Sequence, residues 1–195
     1  QSSSEANLKL MPFSPQFGLH ATAAQLEAIA ADRQVVRIHE DRVSAPLLNQ
    51  SLGIVQMPTA YTSGATGSGW HVAVLDTGGR RSHKFLNARI SRAACFGTND
   101  AGQGSTSYCP SAATESFNID SANDCDAAGP ISGCGHGTHV AGIVARVAPG
   151  VVLHSYRVFE KGEGGASEFA IARAIRQAVE DGCDVVNLSL GQSSE

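Results

Sequence analysis

A chain of 195 residues with 42% hydrophobic content can bury the core of one ordinary globular domain and leave some length for an appendage. Its formal charge of -4, with 14 Lys and Arg scattered along the chain, offers no basic footprint, so nucleic acid is not an expected partner. No apolar run approaches the roughly 20 residues a membrane span requires, so a soluble protein with no membrane partner is expected.

Gln1 begins the chain without a charged-then-apolar leader after it, which says nothing about export. Residues 1–11 open on the polar QSSSEANLKL and are expected to be unstructured. PFSPQFGLHA then reads as a strand, and QVVRIHED alternates as a second, half-buried strand. Between them TAAQLEAIAAD offers Thr22 as an N-cap with Gln25 three residues on, a capping-box pattern, and sets Leu26, Ile29 and Ala30 on one helical face. Residues 12–45 therefore form a strand, helix, strand module too small to be stable alone. Turn and linker chemistry over residues 44–69 puts a boundary there, with the second unit spanning 46–195.

WHVAVLD is a continuous apolar strand ending at Asp76. Residues 79–133, full of Ser, Asn, Asp and Gly, read as a loop-rich insertion of a length that compact domains seldom leave unstapled. Cys95, Cys109, Cys125 and Cys134 provide staples: no CxxC unit suggests zinc, and such spacing favours disulfides and an oxidising compartment. Cys95 with Cys109 and Cys125 with Cys134 are the working pairs, although sequence alone leaves the connectivity open. Cys183, beside an apolar strand, reads as a small buried hydrophobe. Asp120, Asn123, Asp124 and Asp126 fit no defensible cation loop and read as solvated surface.

A regular alternation follows: a small-residue helix over 137–147, the strand VVLHSYRVF, a helix over SEFAIARAIRQAVED, and the strand DVVNLSL. Ser167 caps the second helix, Gly182 lies past its end, and Ile171, Ile175, Ala178 and Val179 share one face. Strands joined by helices, with apolar residues at consecutive positions, predict an α/β fold whose parallel sheet is covered on both faces. Ligands of such sheets bind at the carboxyl ends of the strands, where Asp76 and Ser189 to Gly191 fall.

Asp76 and His136 admit three chemical readings. Two apolar residues before Asp-Thr-Gly also describe an aspartic protease, but that chemistry needs two carboxylates sharing one proton and a fold that is mostly strand. This chain holds one Asp-Thr-Gly and two strong helical segments. His136 and His139, with Asp76 as a third ligand, suggest a metal, yet helical zinc sites place histidines four apart around a Glu, where Gly137 and Thr138 stand here. Nucleophilic catalysis needs a single imidazole: a carboxylate accepts the proton on one ring nitrogen, and the other nitrogen takes a proton from a serine. His136, at the helix start, suits that role. His139, in a helix packed by Val140, Ala141, Ile143 and Val144, reads as a hydrogen-bonded core histidine, and no metal is expected.

VAVLDTG, HGTHVAGIVA and DVVNLSLG, in that order, resemble the subtilisin-like serine proteases, peptidase family S8. The resemblance implies a subtilisin-like parallel sheet with helices on both faces, truncated, over residues 46–195. It also implies that residues 12–45 are a small α+β remnant of the family's inhibitory prosegment. Asp76 is then the orienting acid and His136 the general base. Ser189, Leu190 and Gly191 line the pocket for the residue preceding the scissile bond, and Gly164 and Gly165 are weaker candidates for pairing with the substrate backbone. A protein or peptide substrate, no cofactor, and a secreted or periplasmic location follow.

The family's nucleophile lies in a Gly-Thr-Ser-Met-Ala-like helix start preceded by an oxyanion Asn, and neither has a match in these residues. The chain alone is therefore expected to be inactive. GIVARVAPG runs on where many relatives interrupt this helix with a calcium loop, so no calcium is expected there. A sheet truncated after DVVNLSL exposes an edge, which implies association with the complementary C-terminal part of a protease or with a second copy. The alternative is a non-catalytic module that binds peptides or complements a protease.

Overall fold

A computed structural model describes residues 8–10, 14–40, 43–46, 57–87, 89–102, 104–124, 133–161 and 165–191. The chain divides into two compact units, residues 1–42 and 43–195. In the first, β1 (Lys9–Leu10) pairs antiparallel with β2 (Phe17–Gly18), followed by α1 (Ala23–Ala30). The capping box forms: the Thr22 hydroxyl accepts from the Gln25 backbone N–H, and the Thr22 N–H donates to Gln25 Oε1 at 2.8 Å. β1 thus appears in the stretch expected to be featureless. The strand expected over QVVRIHED does not form; residues 35–40 carry no regular element, and Val36 is 99% exposed. A strand exists only by hydrogen bonding to a neighbour, and β1 and β2 pair with each other.

The second unit contains β3 (Val43–Pro46), α2 (Met57–Thr62), β4 (His71–Asp76), β5 (Ile90–Phe96), β6 (Glu115–Ser116), α3 (His136–Val147), β7 (Val152–Arg157), β8 (Ala166–Ser167), α4 (Glu168–Glu180), β9 (Val185–Leu188) and β10 (Leu190–Gly191). Among the described residues the larger sheet runs β6-β5-β7-β4-β9, parallel throughout except for β6. Alternation along β4 builds both cores. Val72 and Val74 pack with Val140, Ala141 and Ala145 of α3, while Ala73 and Leu75 pack with Ala170, Ala174 and Ala178 of α4. Small residues on both helices bring their axes close to the sheet.

Two elements lie where linker or loop was expected. α2 falls within residues 44–69, and β5 is an interior strand inside the supposed 79–133 insertion. ISRAACF was a weak strand signal because Ser91 and Arg92 are exposed beside a register shift, and the remaining apolar residues are mostly small. The Cys95–Cys109 disulfide forms, anchoring the loop after β5 with its Cα atoms 5.4 Å apart. Cys134 is also disulfide-bonded; Cys125, its expected partner, lies outside the described residues. Cys183 is free, half-buried, and packed against the α4 side of the core. β9 ends the described sheet with Val185 44% and Leu188 40% exposed.

A buried polar string crosses the α4 side. Asp181 can only accept, so the Tyr156 hydroxyl donates to it, and His154 Nδ1–H donates to Tyr156 at 3.2 Å. His154 Nε2 is left to accept from His71 Nδ1–H at 3.0 Å. Burial holds the His154 pKa below the ordinary imidazole value, against Asp181, which raises it, and together with His71 and Arg92, which lower it. The unfolded chain takes up this proton near pH ~6.5 while the folded chain does not, so stability present above that pH is lost as pH falls. His154→Gln is expected to flatten the decline in melting temperature between pH 7.5 and 5.5. Parallel wild-type and variant profiles in thermal melts would contradict this.

Candidate functional site

Asp76 closes β4 and His136 opens α3, so a strand end and a helix start deliver the two side chains to the carboxyl end of the sheet. His136 Nδ1 lies 2.7 Å from Asp76 Oδ1. The same oxygen accepts the Thr77 backbone N–H at 2.7 Å. The close approach depends on glycines: a Cβ on Gly137 would stand 2.4 Å from the Gly78 carbonyl oxygen and 3.0 Å from Asp76 Cβ. Gly78 itself has φ +99°, a conformation that side-chain-bearing residues rarely adopt.

Asp76 is 1% exposed, and burial raises its pKa; the hydrogen bonds from His136 and Thr77 oppose that rise. Because the carboxylate accepts, the His136 proton sits on Nδ1 and leaves a lone pair on Nε2. His136 Nε2 is buried and finds no hydrogen-bond partner among the described residues. Chemically this is a preset base: an oriented ring nitrogen ready to accept a proton from a donor brought to it.

Neighbours hold the pair. The Thr77 hydroxyl donates to the Cys134 carbonyl at 3.1 Å and accepts the Gly137 N–H at 3.0 Å, joining the residue after the acid to the residue after the base. Arg157, opposite Asp76 on β7, donates from Nε to the Thr77 carbonyl at 3.0 Å. Burial pushes the Arg157 guanidinium down to about 10, leaving it cationic at neutral pH. Asp124 accepts from Arg80 Nε at 2.9 Å and from the Thr138 hydroxyl at 3.2 Å, while Thr138 Oγ1 accepts the Arg80 backbone N–H at 2.9 Å. Asp124 is therefore not solvated surface: its side chain is 7% exposed. Asp120 keeps an exposed pairing with Arg81 at 3.1 Å, and Asp126 lies outside the described residues.

His139 departs from its expected core role. It is exposed, and with His83, Phe85, Ile143 and Val147 it lines a cavity of about 480 Å³ on the outer face of α3. The buried stripe of α3 is Gly137, Val140, Ala141 and Ala145, and position 139 lies about 200° around the helix from 137 and 141. Among the described residues no three His, Cys, Asp or Glu are grouped to hold a metal.

A three-stranded antiparallel sheet, β10-β3-β8, lies in the same unit. β3 is its middle strand, with Pro46 opposite Leu190, Ala45 opposite Gly191, Ser44 opposite Ala166 and Val43 opposite Ser167. Leu188 is opposite Leu75 in the larger sheet, so Ser189 leaves that sheet at the level of Asp76. The structure thus brings Leu190 and Gly191 against an extended segment, with Ser189 at the turn before them. Gly165 precedes β8 and accepts from the Glu160 N–H at 2.9 Å. Gly164 lies outside the described residues. Sequence reading passed over Thr77, Arg80 and Thr138 and took Asp124 for solvated surface; adjacency to Asp76 and His136 was the available signal for Thr77 and Thr138, and nothing in the sequence joined Arg80 or Asp124 to the pair.

A strand-end carboxylate hydrogen-bonded to a helix-start imidazole, on a mostly parallel sheet packed by helices, defines an α/β fold with a polar pair at its strand ends. Residues 67–195 match the model of the subtilase family, peptidase S8, and the chain belongs to that family. It is 35% identical over 164 residues to the minor extracellular protease Vpr of Bacillus subtilis, covering 81% of this chain and 18% of that protein. It is 31% identical over 192 residues to an alkaline protease of Alkalihalobacillus alcalophilus, covering 92% of this chain and 42% of that protein. Fervidolysin from Fervidobacterium pennivorans, a keratinolytic enzyme related to subtilisin, matches 72% of this chain and 19% of its own at 25% identity, with a TM-score of 0.48. The chain therefore spans less than half the length of these relatives. No helix among the described residues is long and apolar enough to cross a membrane.

Because burial raises the Asp76 pKa, its ionised form costs folding stability at neutral pH. Asp76→Asn keeps an oxygen to accept from Thr77 and His136, and is expected to melt at or above the wild-type temperature at pH 7, by as much as about 2–4 °C for about 1 kcal/mol. Calorimetry showing a lower melting temperature would contradict the desolvation argument.

Proposed function

We propose that this chain is the acid-and-base half of a secreted subtilisin-like serine endopeptidase that hydrolyses peptide bonds through an acyl-enzyme. The observation that carries the reading is the 2.7 Å contact of His136 Nδ1 with buried Asp76, with Nε2 buried and unpartnered among the described residues. In this reading a serine hydroxyl supplied by the remainder of the protease gives its proton to Nε2 as its oxygen attacks the scissile carbonyl. The imidazolium, stabilised by Asp76, then gives that proton to the leaving amine. Water repeats the sequence to release the acyl group.

Protein substrates enter as an extended strand between β8 and β10, the slot that β3 fills here, with backbone hydrogen bonds on both sides. The preceding residues, 12–45, act in this reading as part of an inhibitory prosegment whose last strand occupies that slot. The Cys95–Cys109 disulfide supports an oxidising, extracellular or periplasmic setting. The exposed side chains of β9 favour a complementing polypeptide over a self-sufficient chain.

A serine-directed fluorophosphonate probe tests the reading. The chain alone is expected to stay unlabelled, and a mixture with a segment carrying a Gly-Thr-Ser-Met-Ala-like motif is expected to label on that segment. His136→Gln in the mixture is expected to slow labelling by about 10² to 10⁴. Labelling of the chain alone, or labelling indifferent to His136, would overturn the assignment.

A further inference from the structure

We infer that Asp124 is a positioning residue for the Asp76–His136 pair, acting through Arg80 and Thr138. The use of that pair rests on the protease reading above; the clamp itself rests on contacts. Three separate segments meet at this carboxylate. Arg80 lies four residues after Asp76, Thr138 lies two residues after His136, and Asp124 lies in the segment that follows β6. Asp124 Oδ1 and Oδ2 stand 3.2 and 2.9 Å from Arg80 Nε, and Oδ2 also accepts from Thr138 Oγ1. The triangle is closed by the Arg80 N–H on the Thr138 hydroxyl.

The helix start needs such a device. A helix leaves its first N–H groups without partners, and a side-chain cap ordinarily satisfies one of them. The N-cap of α3 is Gly135, which offers no side-chain cap bond. The turn that carries His136 is instead fastened from outside at two consecutive residues. Thr77 takes the Gly137 N–H, and the Asp124 clamp takes Thr138. A buried negative charge near a helix N-terminus is also favourably placed against the helix dipole. Thr77 directly follows the strand that carries the acid, so it sets the distance between acid and base. Asp124 comes from a third segment and restrains rotation of the first turn about that bond. Loss of the clamp would free the imidazole to swing, and misplacement by about 1 Å is enough to cost about 10²-fold in rate.

The test is made on the intact 195-residue chain by proton NMR, following the low-field resonance of the proton between His136 Nδ1 and Asp76, assigned by its absence in His136→Gln. In Asp124→Ala and Thr138→Val the resonance is expected to exchange with water at least about tenfold faster or to broaden away, with the Cys95–Cys109 bond and far-ultraviolet circular dichroism unchanged. Thr138→Ser, which keeps the hydroxyl, is expected to restore the wild-type line. If Asp124→Ala does not fold, the Thr138 Val and Ser variants decide the matter between them. Wild-type exchange in the Thr138→Val variant and in a folded Asp124→Ala variant would overturn the inference, as would absence of the resonance from the wild-type chain. Failure of the protease reading looks different: the resonance pattern is as described, but a complemented serine stays unlabelled.

Discussion

The hydrogen bond between a carboxylate removed from water and the first residue of a helix is the constraint around which the second unit is arranged. Burial raises the Asp76 pKa, and the hydrogen bonds that His136 and the Thr77 N–H make to one of its oxygens oppose that rise. That requirement reaches backward through the fold. Gly137 lacks a side chain because a Cβ would collide with the Gly78 carbonyl, and Gly78 adopts a backbone conformation suited to glycine so that this carbonyl can lie there. Arg157 on the neighbouring strand holds the Thr77 carbonyl in place. Local strain and buried charge are tolerated because the two cores on either side of β4 over-determine the positions of the strand and α3.

The same arrangement accounts for what the pair can do. The two-sided packing of β4 fixes the carboxylate, the carboxylate fixes the tautomer of the imidazole, and the tautomer presents a bare nitrogen. β10 follows β9, which reaches the level of Leu75, next to Asp76, through the register of Leu75 with Leu188, and β3 pairs with β10 on one side and β8 on the other. In the proposed reading, the extended backbone of a substrate takes the place of β3 and His136 serves as the base. Membership in the subtilase family is consistent with this economy of placement.

Much of this was legible in the sequence, and the failures have physical causes. HVAVLD could be read as a doubly covered strand because every residue after His71 is apolar up to the acid, and α4 announced itself through the Ser167 cap and Gly182. His136 was expected at a helix start within reach of Asp76, and it opens α3 with Nδ1 on that carboxylate. His139 was misplaced because apolar neighbours suggested burial, whereas helical geometry turns it outward while Val140 and Ala141 turn inward. β5 hid behind Ser and Arg at its exposed end, and Asp124 among other acidic residues of similar appearance. A clamp assembled from three distant segments has no local signature, since its members become neighbours only after folding.

The account is most directly tested by the protonation state of a single ring. Nitrogen-15 NMR of imidazole-labelled protein, in the window where His136 is neutral, distinguishes a ring protonated on Nδ1 from one protonated on Nε2. An imidazole that carries its proton on Nδ1, towards Asp76, and a bare Nε2 is the result this structure requires. A proton resident on Nε2, or an even mixture of the two tautomers, would contradict it.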